Sequence, residues 1–151
     1  MARAGIVASG YYVPPNILDN DFFVNSPNNP YLVYAGRDKN GDPIFSPERK
    51  RVTDESIYET TGIRQRRIIS PGETHVELVE KAFAKTGFSS EDLEGILIGT
   101  VTDDIGFPSV ACRVQERIKA RNVSCPRDIK AACSGFTHAL DTARLRVKET
   151  G

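Results

Sequence analysis

The chain has 151 residues, the length of a single domain. Hydrophobic residues make up 39% of it and charged residues 26%, which is the balance of an ordinary soluble, folded protein and not of a disordered one. Its 20 basic residues equal its 20 acidic residues, so no net charge draws it to nucleic acid or to an anionic membrane, and neither partner is expected.

Other whole-chain features argue against a membrane-spanning protein, a secreted protein, a disulfide framework and a zinc site. No apolar run approaches the roughly 20 residues that a membrane-spanning helix needs. The first seven residues are too short and too quickly interrupted for a signal peptide, so we expect a cytoplasmic protein. The three cysteines, Cys112, Cys125 and Cys133, are odd in number and lack C-x-x-C spacing. This argues against a disulfide framework and against a metal site of the zinc type.

The first third of the chain predicts a strand, a short helix and a turn-rich segment. Residues 4–12 begin with an apolar stretch typical of a short buried strand, which the prolines at 14–15 stop. Residues 18–24 predict one or two helical turns. Residues 25–51 are rich in turn residues, and Asn-Gly at 40–41 between two apolar stretches predicts an inserted surface hairpin or long loop. Such an insertion is either a functional lid or a tolerated addition, and both interpretations stay open.

Helix caps organise the next part of the chain. Thr53 is a helix N-cap, and Gly62 is a natural left-handed stop for the same helix. Residues 63–69 then predict an extended segment with arginines on one side. Thr74 and Glu77 form a capping box, which predicts a further helix.

A strand and a helix follow this region. Residues 95–101 form a continuous apolar run, which is typical of a central parallel strand. Pro108 lies near the first position of the next predicted helix, whose buried side is Val110, Val114 and Ile118.

The densest basic cluster consists of Arg64, Arg66 and Arg67, with residues 49–51 nearby. Such a run is either a solvated surface or a binding surface for an acidic partner.

Cys133 lies where a predicted strand, residues 128–131, turns into a helix. The helix is indicated by apolar residues at helical spacing, Phe136, Leu140, Ala143 and Val147. The first N–H groups of a helix have no partners within it and carry a partial positive charge, so a thiolate is stabilised there. Gly135 and the small residues around Cys133 leave room for a substrate. Cys133 is therefore either a reactive nucleophile or a small buried residue at a helix start.

The elements after residue 1 alternate as β–α–β–α–β–α, which predicts a layered α/β domain with a mainly parallel sheet. The last helix should lead to another strand, and none follows, so at least one sheet edge would be unprotected. We therefore expect the chain to be the front part of a longer protein.

Six sequence blocks occur in an order that resembles the N-terminal half of the β-ketoacyl-acyl carrier protein synthase III family, in the thiolase superfamily. The resemblance covers nearly the whole chain except residues 25–51. The blocks are Gly10-Tyr11-Tyr12-Val13-Pro14, Thr53-Asp54-Glu55, residues 61–68, residues 99–102, Phe107-Pro108-Ser109 with Ala111-Cys112 and Gln115, and residues 131–136.

The resemblance implies a thiolase-like layered fold, αβαβα in the intact protein, of which residues 1–151 are the incomplete first half. It implies a homodimer in which Cys133 takes an acyl group from a coenzyme A thioester. That group is condensed with malonyl carried on acyl carrier protein, in fatty-acid or related secondary-metabolite synthesis, and carbon dioxide is released. Coenzyme A enters as a substrate, and no permanently bound cofactor is implied. Phe107 matches a phenylalanine that reaches the acyl pocket of the partner subunit.

The family's catalytic histidine and asparagine lie in the C-terminal half, and neither His75 nor His138 matches them. We interpret both histidines as structural or surface residues. The 151-residue chain alone is therefore expected to be inactive in condensation.

Two further departures concern coenzyme A. The family's tryptophan that stacks on adenine is replaced by Ser56, and an arginine that helps to hold the cofactor is replaced by Thr60; the chain has no tryptophan. Loss of both groups costs on the order of 1–3 kcal/mol of binding. Either Tyr58 or residues 25–51 substitute, or the acyl donor is not ordinary acetyl-CoA, which suits a specialised secondary-metabolite or long-chain member. The residues that bind the cofactor are left unassigned.

Two alternatives remain beside the acyltransferase. One is a non-catalytic half that pairs with another chain as a scaffold or dimer partner. The other is a cysteine hydrolase, which ranks lower because no histidine partner matches a motif.

Overall fold

The computed structural model describes residues 4–26 and 31–150. The chain divides into two compact units, one of residues 14–70 and one that combines the N-terminal segment up to residue 13 with residues 71 onward. No helix in the described ranges has both the length and the apolar composition that crossing a bilayer requires.

Among its described residues, the unit of residues 14–70 contains two antiparallel strand pairs and two helices. Its elements in chain order are β1 Asn16–Asp19, α1 Asp21–Val24, β2 Tyr31–Arg37, β3 Pro43–Lys50, α2 Asp54–Thr61 and β4 Gln65–Ile68. Strand β1 pairs with β4, and β2 pairs with β3 in a hairpin.

Local side-chain hydrogen bonds define the turns and helix ends of this unit. In the loop between β2 and β3, the Asp38 carboxylate accepts the amide N–H groups of Asn40 at 2.8 Å and Asp42 at 2.9 Å. Thr53 caps α2 as predicted, and Gly62 ends it with a left-handed φ of 70°. The residues that form the predicted turn, cap and stop are therefore found in those roles.

Asn20 is the buried polar anchor of the same unit, with only 2% of its surface exposed. Its amide donates to Asp54 Oδ1 at 2.6 Å and to the Ile63 carbonyl at 3.0 Å, and its oxygen accepts Arg66 Nη1 at 2.9 Å. Because each hydrogen bond reaches a different segment, Asn20 links the start of α1 to α2 and β4.

The second unit contains a parallel strand pair with helices packed on it. Its elements are α3 His75–Ala84, β5 Gly95–Gly99, α4 Val110–Arg117, β6 Cys125–Ile129 and α5 Gly135–Thr150, with single 3₁₀ turns at Ser90–Asp92 and Ala132–Ser134. Strands β5 and β6 run parallel, with Gly95 opposite Cys125 and Gly99 opposite Ile129. The predicted capping box of Thr74 and Glu77 is present at the start of α3.

The core of this unit lies where α3 and α4 meet the strand pair. Val110 and Val114 of α4 are fully buried, in agreement with the predicted buried side of that helix. Ile96 of β5 and Val76 of α3 complete the contact, together with Ala111, Ala120 and Val123.

The predicted N-terminal strand is wrong for the described structure. Residues 4–14 form neither strand nor helix, and Ile6 and Val7 are 75% and 83% exposed. A strand forms when its backbone N–H and C=O groups pair with those of another strand, and no strand of the described residues pairs with this segment. The end of the segment is held instead, since Gly10 lies against the Ala82 carbonyl of α3 and the Tyr12 hydroxyl donates to Glu73.

Two other boundaries differ from the predictions because strand pairing decides them. Leu18 pairs with Arg66 in the β1–β4 ladder, so only residues 21–24 of the predicted helical segment are helical. Strand β6 begins at Cys125 and ends at Ile129, earlier than the predicted 128–131, because it pairs with the whole of β5. One of the strand pairs in the described residues is parallel, and two are antiparallel.

Candidate active site

Cys133 lies in the turn that joins β6 to α5. The 3₁₀ turn Ala132–Ser134 follows β6 after two residues, and α5 begins immediately after it at Gly135. Ala132 has a φ of 44°, in the left-handed region that an L-residue adopts only at a cost. This conformation turns the chain sharply from strand to helix. Cys133 is exposed and forms no disulfide.

Two glycines, Gly99 at the end of β5 and Gly135 at the start of α5, allow the strand end and the helix start to pack closely. A Cβ atom built on Gly99 would lie 2.8 Å from the carbonyl carbon of Gly135 and 2.9 Å from the amide nitrogen of Phe136. The strand end and the helix start therefore touch through backbone atoms. The amide of Thr100 also donates to the Ile129 carbonyl at 3.3 Å, which extends the contact between the two strand ends.

Ser134, next to Cys133, uses its polar groups locally. Its amide and its hydroxyl both donate to the Ala131 carbonyl, at 3.0 and 2.8 Å, and its own carbonyl accepts the Thr137 hydroxyl at 2.8 Å. Ser134 therefore stabilises the turn that carries the thiol.

The loop between β5 and α4, residues 100–109, carries Phe107. The Phe107 side chain is 87% exposed, and the bond from Phe107 to Pro108 is cis. The helix after it starts at Val110, later than predicted, with Ser109 as its N-cap accepting the Cys112 amide at 3.2 Å.

Asp128 of β6 anchors the start of α4. Its two carboxylate oxygens accept the amide N–H groups of Val110 at 2.8 Å and Ala111 at 2.9 Å. A carboxylate at a helix N-terminus satisfies donors that have no partner within the helix, and it also faces the positive end of the dipole. This role was not predicted, because the two partners are 18 and 17 residues away and no local pattern signals the contact.

Asp104 is held by a two-point ion pair in the same loop. Arg113 of α4 donates from Nη1 to Oδ1 at 2.7 Å and from Nη2 to Oδ2 at 2.9 Å. The hydrogen bonds from Arg113 lower the pKa of the Asp104 carboxyl below its ordinary value, against a smaller opposing effect of burial. The loop base is thereby tied to α4.

The two histidines lie on different elements. His75 begins α3, and its Nε2 lies 3.3 Å from the Thr102 hydroxyl, so it contacts the base of the Phe107 loop. His138 is exposed on α5.

Ser56 and Thr60, the two positions at which the resemblance implies lost coenzyme A contacts, both bond to their own helix. Ser56 completes the capping box with Thr53, accepting its amide at 2.9 Å, and the Thr60 hydroxyl donates to the Ser56 carbonyl at 2.8 Å. Tyr58 stacks with Arg64, whose guanidinium carbon lies 3.8 Å from the ring centroid. Arg64 also pairs with Asp54 at 3.2 Å.

A second cysteine, Cys125, has an environment that its sequence position did not signal. Arg127 Nη2 donates to its sulfur at 2.6 Å, and this hydrogen bond lowers the pKa of the Cys125 thiol, with a smaller contribution from the charge of Arg146. The thiol lines an open groove of about 810 Å³ between the strand pair and α5. Cys125 and Arg127 share one face because they are alternate residues of β6, but the sequence predicted this strand only from residue 128, so the contact was not expected.

The apolar residues of α5 face this groove or solvent. Phe136 is 73% exposed, and Leu140, Leu145 and Val147 are also exposed, whereas Ala139 is buried. The helical spacing of these apolar residues therefore predicted the helix correctly. Within the described residues, however, most of their side chains are not buried against other apolar groups.

Solved structures share this arrangement of elements. The 3-oxoacyl-[acyl-carrier-protein] synthase III of Aquifex aeolicus superposes with a TM-score of 0.67 and 32% identity, over 95% of this chain and 40% of that one. The synthase III of Thermus thermophilus gives 0.72 and 25%, over 97% of this chain and 39% of that one. The fold is thiolase-like, and the chain holds an incomplete part of it.

Sequence relatives identify the family. A β-ketoacyl-[acyl-carrier-protein] synthase III of Bacillus pumilus is 34% identical over 146 residues, which is 94% of this chain and 39% of that protein. One of Clostridium kluyveri is 40% identical over 145 residues, 93% of this chain and 37% of that protein. No family model matches the chain. The resemblance to the β-ketoacyl-acyl carrier protein synthase III family is confirmed, and the chain spans about 40% of the length of the relatives it matches.

Proposed function

We propose that this chain is the cysteine-bearing half of an acyltransferase that forms a carbon–carbon bond by decarboxylative condensation. The Cys133 thiolate attacks the carbonyl carbon of an acyl-CoA thioester, and the coenzyme A thiolate leaves as the old carbon–sulfur bond breaks. Malonyl on acyl carrier protein then loses carbon dioxide, and the resulting carbanion attacks the acyl carbon. A β-ketoacyl-acyl carrier protein forms, and the Cys133 thiolate is released.

The observation that carries the proposal is the position of Cys133. Its thiol is exposed, it follows a strained residue, and it lies just before a 16-residue helix. The backbone N–H of Cys133 is proposed as one donor to the oxyanion that forms when the thioester is attacked.

The condensation step needs groups that this chain does not supply. The histidine and asparagine implied by the resemblance match no residue here, and we assign them to a C-terminal half outside residues 1–151. The purified 151-residue chain is therefore expected to form no carbon–carbon bond. A measurable condensation rate from the purified chain would contradict the assignment of the histidine and the asparagine to a C-terminal half.

The acyl donor is proposed to be a coenzyme A thioester, used as a substrate and not as a bound cofactor. Since Ser56 and Thr60 offer neither a flat ring nor a charge, ordinary acetyl-CoA is not assumed. The stack of Tyr58 and Arg64 and the hairpin of β2 and β3 are the candidates for its replacement contacts. Acyl carrier protein is the proposed carrier of the malonyl group.

We further propose that the protein is a homodimer. The Phe107 side chain is exposed, as expected of a residue that enters the acyl pocket of a second subunit, and this exposure supports the proposed homodimer. The cytoplasm is the proposed location. We also propose that residues 25–51 are an insertion, in which β2 and β3 form a hairpin.

Acylation of Cys133 tests the central step. The protein is incubated with acyl-CoA thioesters of different chain length, and its intact mass is measured before and after peptide mapping. We expect one acyl adduct on Cys133, absent from Cys133→Ala and still formed by Cys112→Ala. No adduct, or one that persists in Cys133→Ala, would overturn the proposal.

A scaffold role is the second candidate, favoured by the exposed apolar stripe of α5. Phe136, Leu140 and Val147 would need a partner surface whether or not Cys133 reacts. Size-exclusion chromatography with light scattering separates the two roles. A stable assembly of a protein whose Cys133 takes up no acyl group would favour the scaffold.

A further inference from the structure

An ion pair connects the loop that carries Phe107 to the segment that carries Cys133. Lys130 follows β6 and lies three residues before Cys133, and Asp103 lies in the loop after β5. Lys130 Nζ is 3.1 Å from Asp103 Oδ2. The Asp103 side chain is 11% exposed and that of Lys130 is 53% exposed. A carboxylate so far removed from water needs a partner, and Lys130 provides it.

The neighbours of Asp103 are tied down as well. Thr102 contacts His75 of α3, and Asp104 binds Arg113 of α4 through both carboxylate oxygens. Three consecutive loop residues thus each contact a different part of the fold, namely α3, the segment after β6 and α4. Beyond them the loop becomes exposed, with Ile105 and Phe107 facing solvent. The loop therefore has a fixed base and a projecting tip.

Of these contacts, only the one made by Asp103 leads to the segment of Cys133. Asp104 fixes the loop to a helix that bears no proposed reactive group, whereas Lys130 belongs to the connection between β6 and the turn. The ion pair therefore ties the segment before the proposed nucleophile to the base of the loop whose Phe107 is proposed to enter the acyl pocket of a second subunit.

We propose that Asp103 is a positioning residue for acyl transfer to Cys133, because its ion pair with Lys130 holds the segment that leads to the Cys133 turn against the base of the loop after β5. This inference rests on the proposed acyltransferase function. Because transfer requires the thioester carbonyl to be held near the sulfur in a narrow range of geometries, a small displacement of either segment slows it. Reaction with a small reagent that needs no such placement is unaffected.

The variants are Asp103→Asn, which keeps the shape but removes the charge, Lys130→Met, and the double variant. Asp141→Asn is the matched control, because it breaks an exposed ion pair with Arg144 at 2.8 Å on α5. Each protein is assayed by mass spectrometry for the rate of Cys133 acylation by acyl-CoA and for the rate of Cys133 alkylation by iodoacetamide. Thermal unfolding is measured in parallel.

In Asp103→Asn, we expect acylation to slow by about fivefold or more, while alkylation stays within about twofold of the unchanged protein. The Lys130→Met and double variants should lose no more than Asp103→Asn, since all remove the same interaction. Asp141→Asn should match the unchanged protein in both assays.

The inference is overturned if Asp103→Asn is acylated at the unchanged rate, or if acylation and alkylation fall together with the unfolding temperature. If Asp103→Asn does not fold, the result from Lys130→Met decides by the same criteria. Failure of the unchanged protein to take up any acyl group at Cys133 overturns the proposed function and this inference with it. Normal acylation of both Asp103→Asn and Lys130→Met overturns only the inference.

Discussion

Gly99, the last residue of β5, and Gly135, the first residue of α5, meet through their backbones. The gap leaves no room for a methyl group, because a Cβ on Gly99 would lie 2.8–3.0 Å from three backbone atoms of residues 135 and 136. The turn of Cys133 comes immediately before Gly135. The contact therefore places the proposed nucleophile at the carboxyl end of the parallel strand pair.

Substitution of Gly99 by alanine should destabilise the protein. The new methyl group meets backbone on the opposite side, so the helix start must shift, and we expect a loss of about 1–3 kcal/mol in the free energy of unfolding. Urea denaturation followed by circular dichroism measures it. Gly95→Ala is the control, since it lies in the same strand and its Cβ would meet nothing within 4 Å. Equal effects of the two substitutions would show that the contact is unimportant.

Removal of the Asp128 carboxylate should loosen the start of α4. Asp128→Ala leaves the amide groups of Val110 and Ala111 without their acceptor, and we expect a cost of about 1–3 kcal/mol in the free energy of unfolding. Asp141→Ala, on the exposed side of α5, should change the stability far less. Hydrogen exchange at the first amides of α4 provides a local readout, and unchanged protection there would contradict the assigned role.

The ion pair of Asp104 with Arg113 should make the free energy of unfolding decrease as the pH falls into the acidic range. Its pKa is lower in the folded protein than in the unfolded chain, so the unfolded state takes up the proton first as the pH falls. The stabilisation is complete above the ordinary aspartate pKa of about 3.9 and is lost as the pH falls through the folded value. Urea titrations between neutral pH and about pH 3 should show a smaller acid loss for Asp104→Asn than for the unchanged protein. An identical pH profile would rule out this contribution.

Cys125 should react faster with iodoacetamide than Cys112, although both are partly buried. Arg127 lowers the pKa of the Cys125 thiol, so more of it is thiolate near neutral pH. Arg127→Gln should raise that pKa and slow alkylation of Cys125 severalfold at pH 7. Peptide mapping with mass spectrometry measures each site separately.

Arg144→Gln is the control for the alkylation experiment, because Arg144 pairs with Asp141. It should leave the Cys125 rate unchanged. A Cys125 rate that is indifferent to Arg127→Gln would mean that the hydrogen bond does not govern its reactivity.

Local sequence patterns were reliable guides to helix ends. Thr53 and the pair of Thr74 and Glu77 cap the helices predicted for them, and Gly62 ends α2 in a left-handed conformation. Each of these contacts spans a few residues, so the residue types and their spacing suffice to specify it.

Strands were predicted less well, because a strand depends on its partner. Residues 4–12 begin with an apolar stretch that resembles a strand, yet in the described structure they pair with none and Val7 is exposed. The charged stretch of β6 did not resemble a complete strand, yet it pairs along all of β5. Alternation and hydrophobicity indicate that a segment is able to pair but do not identify the partner.

The family resemblance, the helix caps and the candidate nucleophile could be read from the residue order, because each depends on residue types at short or characteristic spacing. The contact of Gly99 with Gly135, the hydrogen bonds of Asp128 to α4 and the ion pair of Lys130 with Asp103 arise from the fold and have no local signal. Those partners lie 17 to 36 residues apart in the chain, and the fold alone brings them within contact distance.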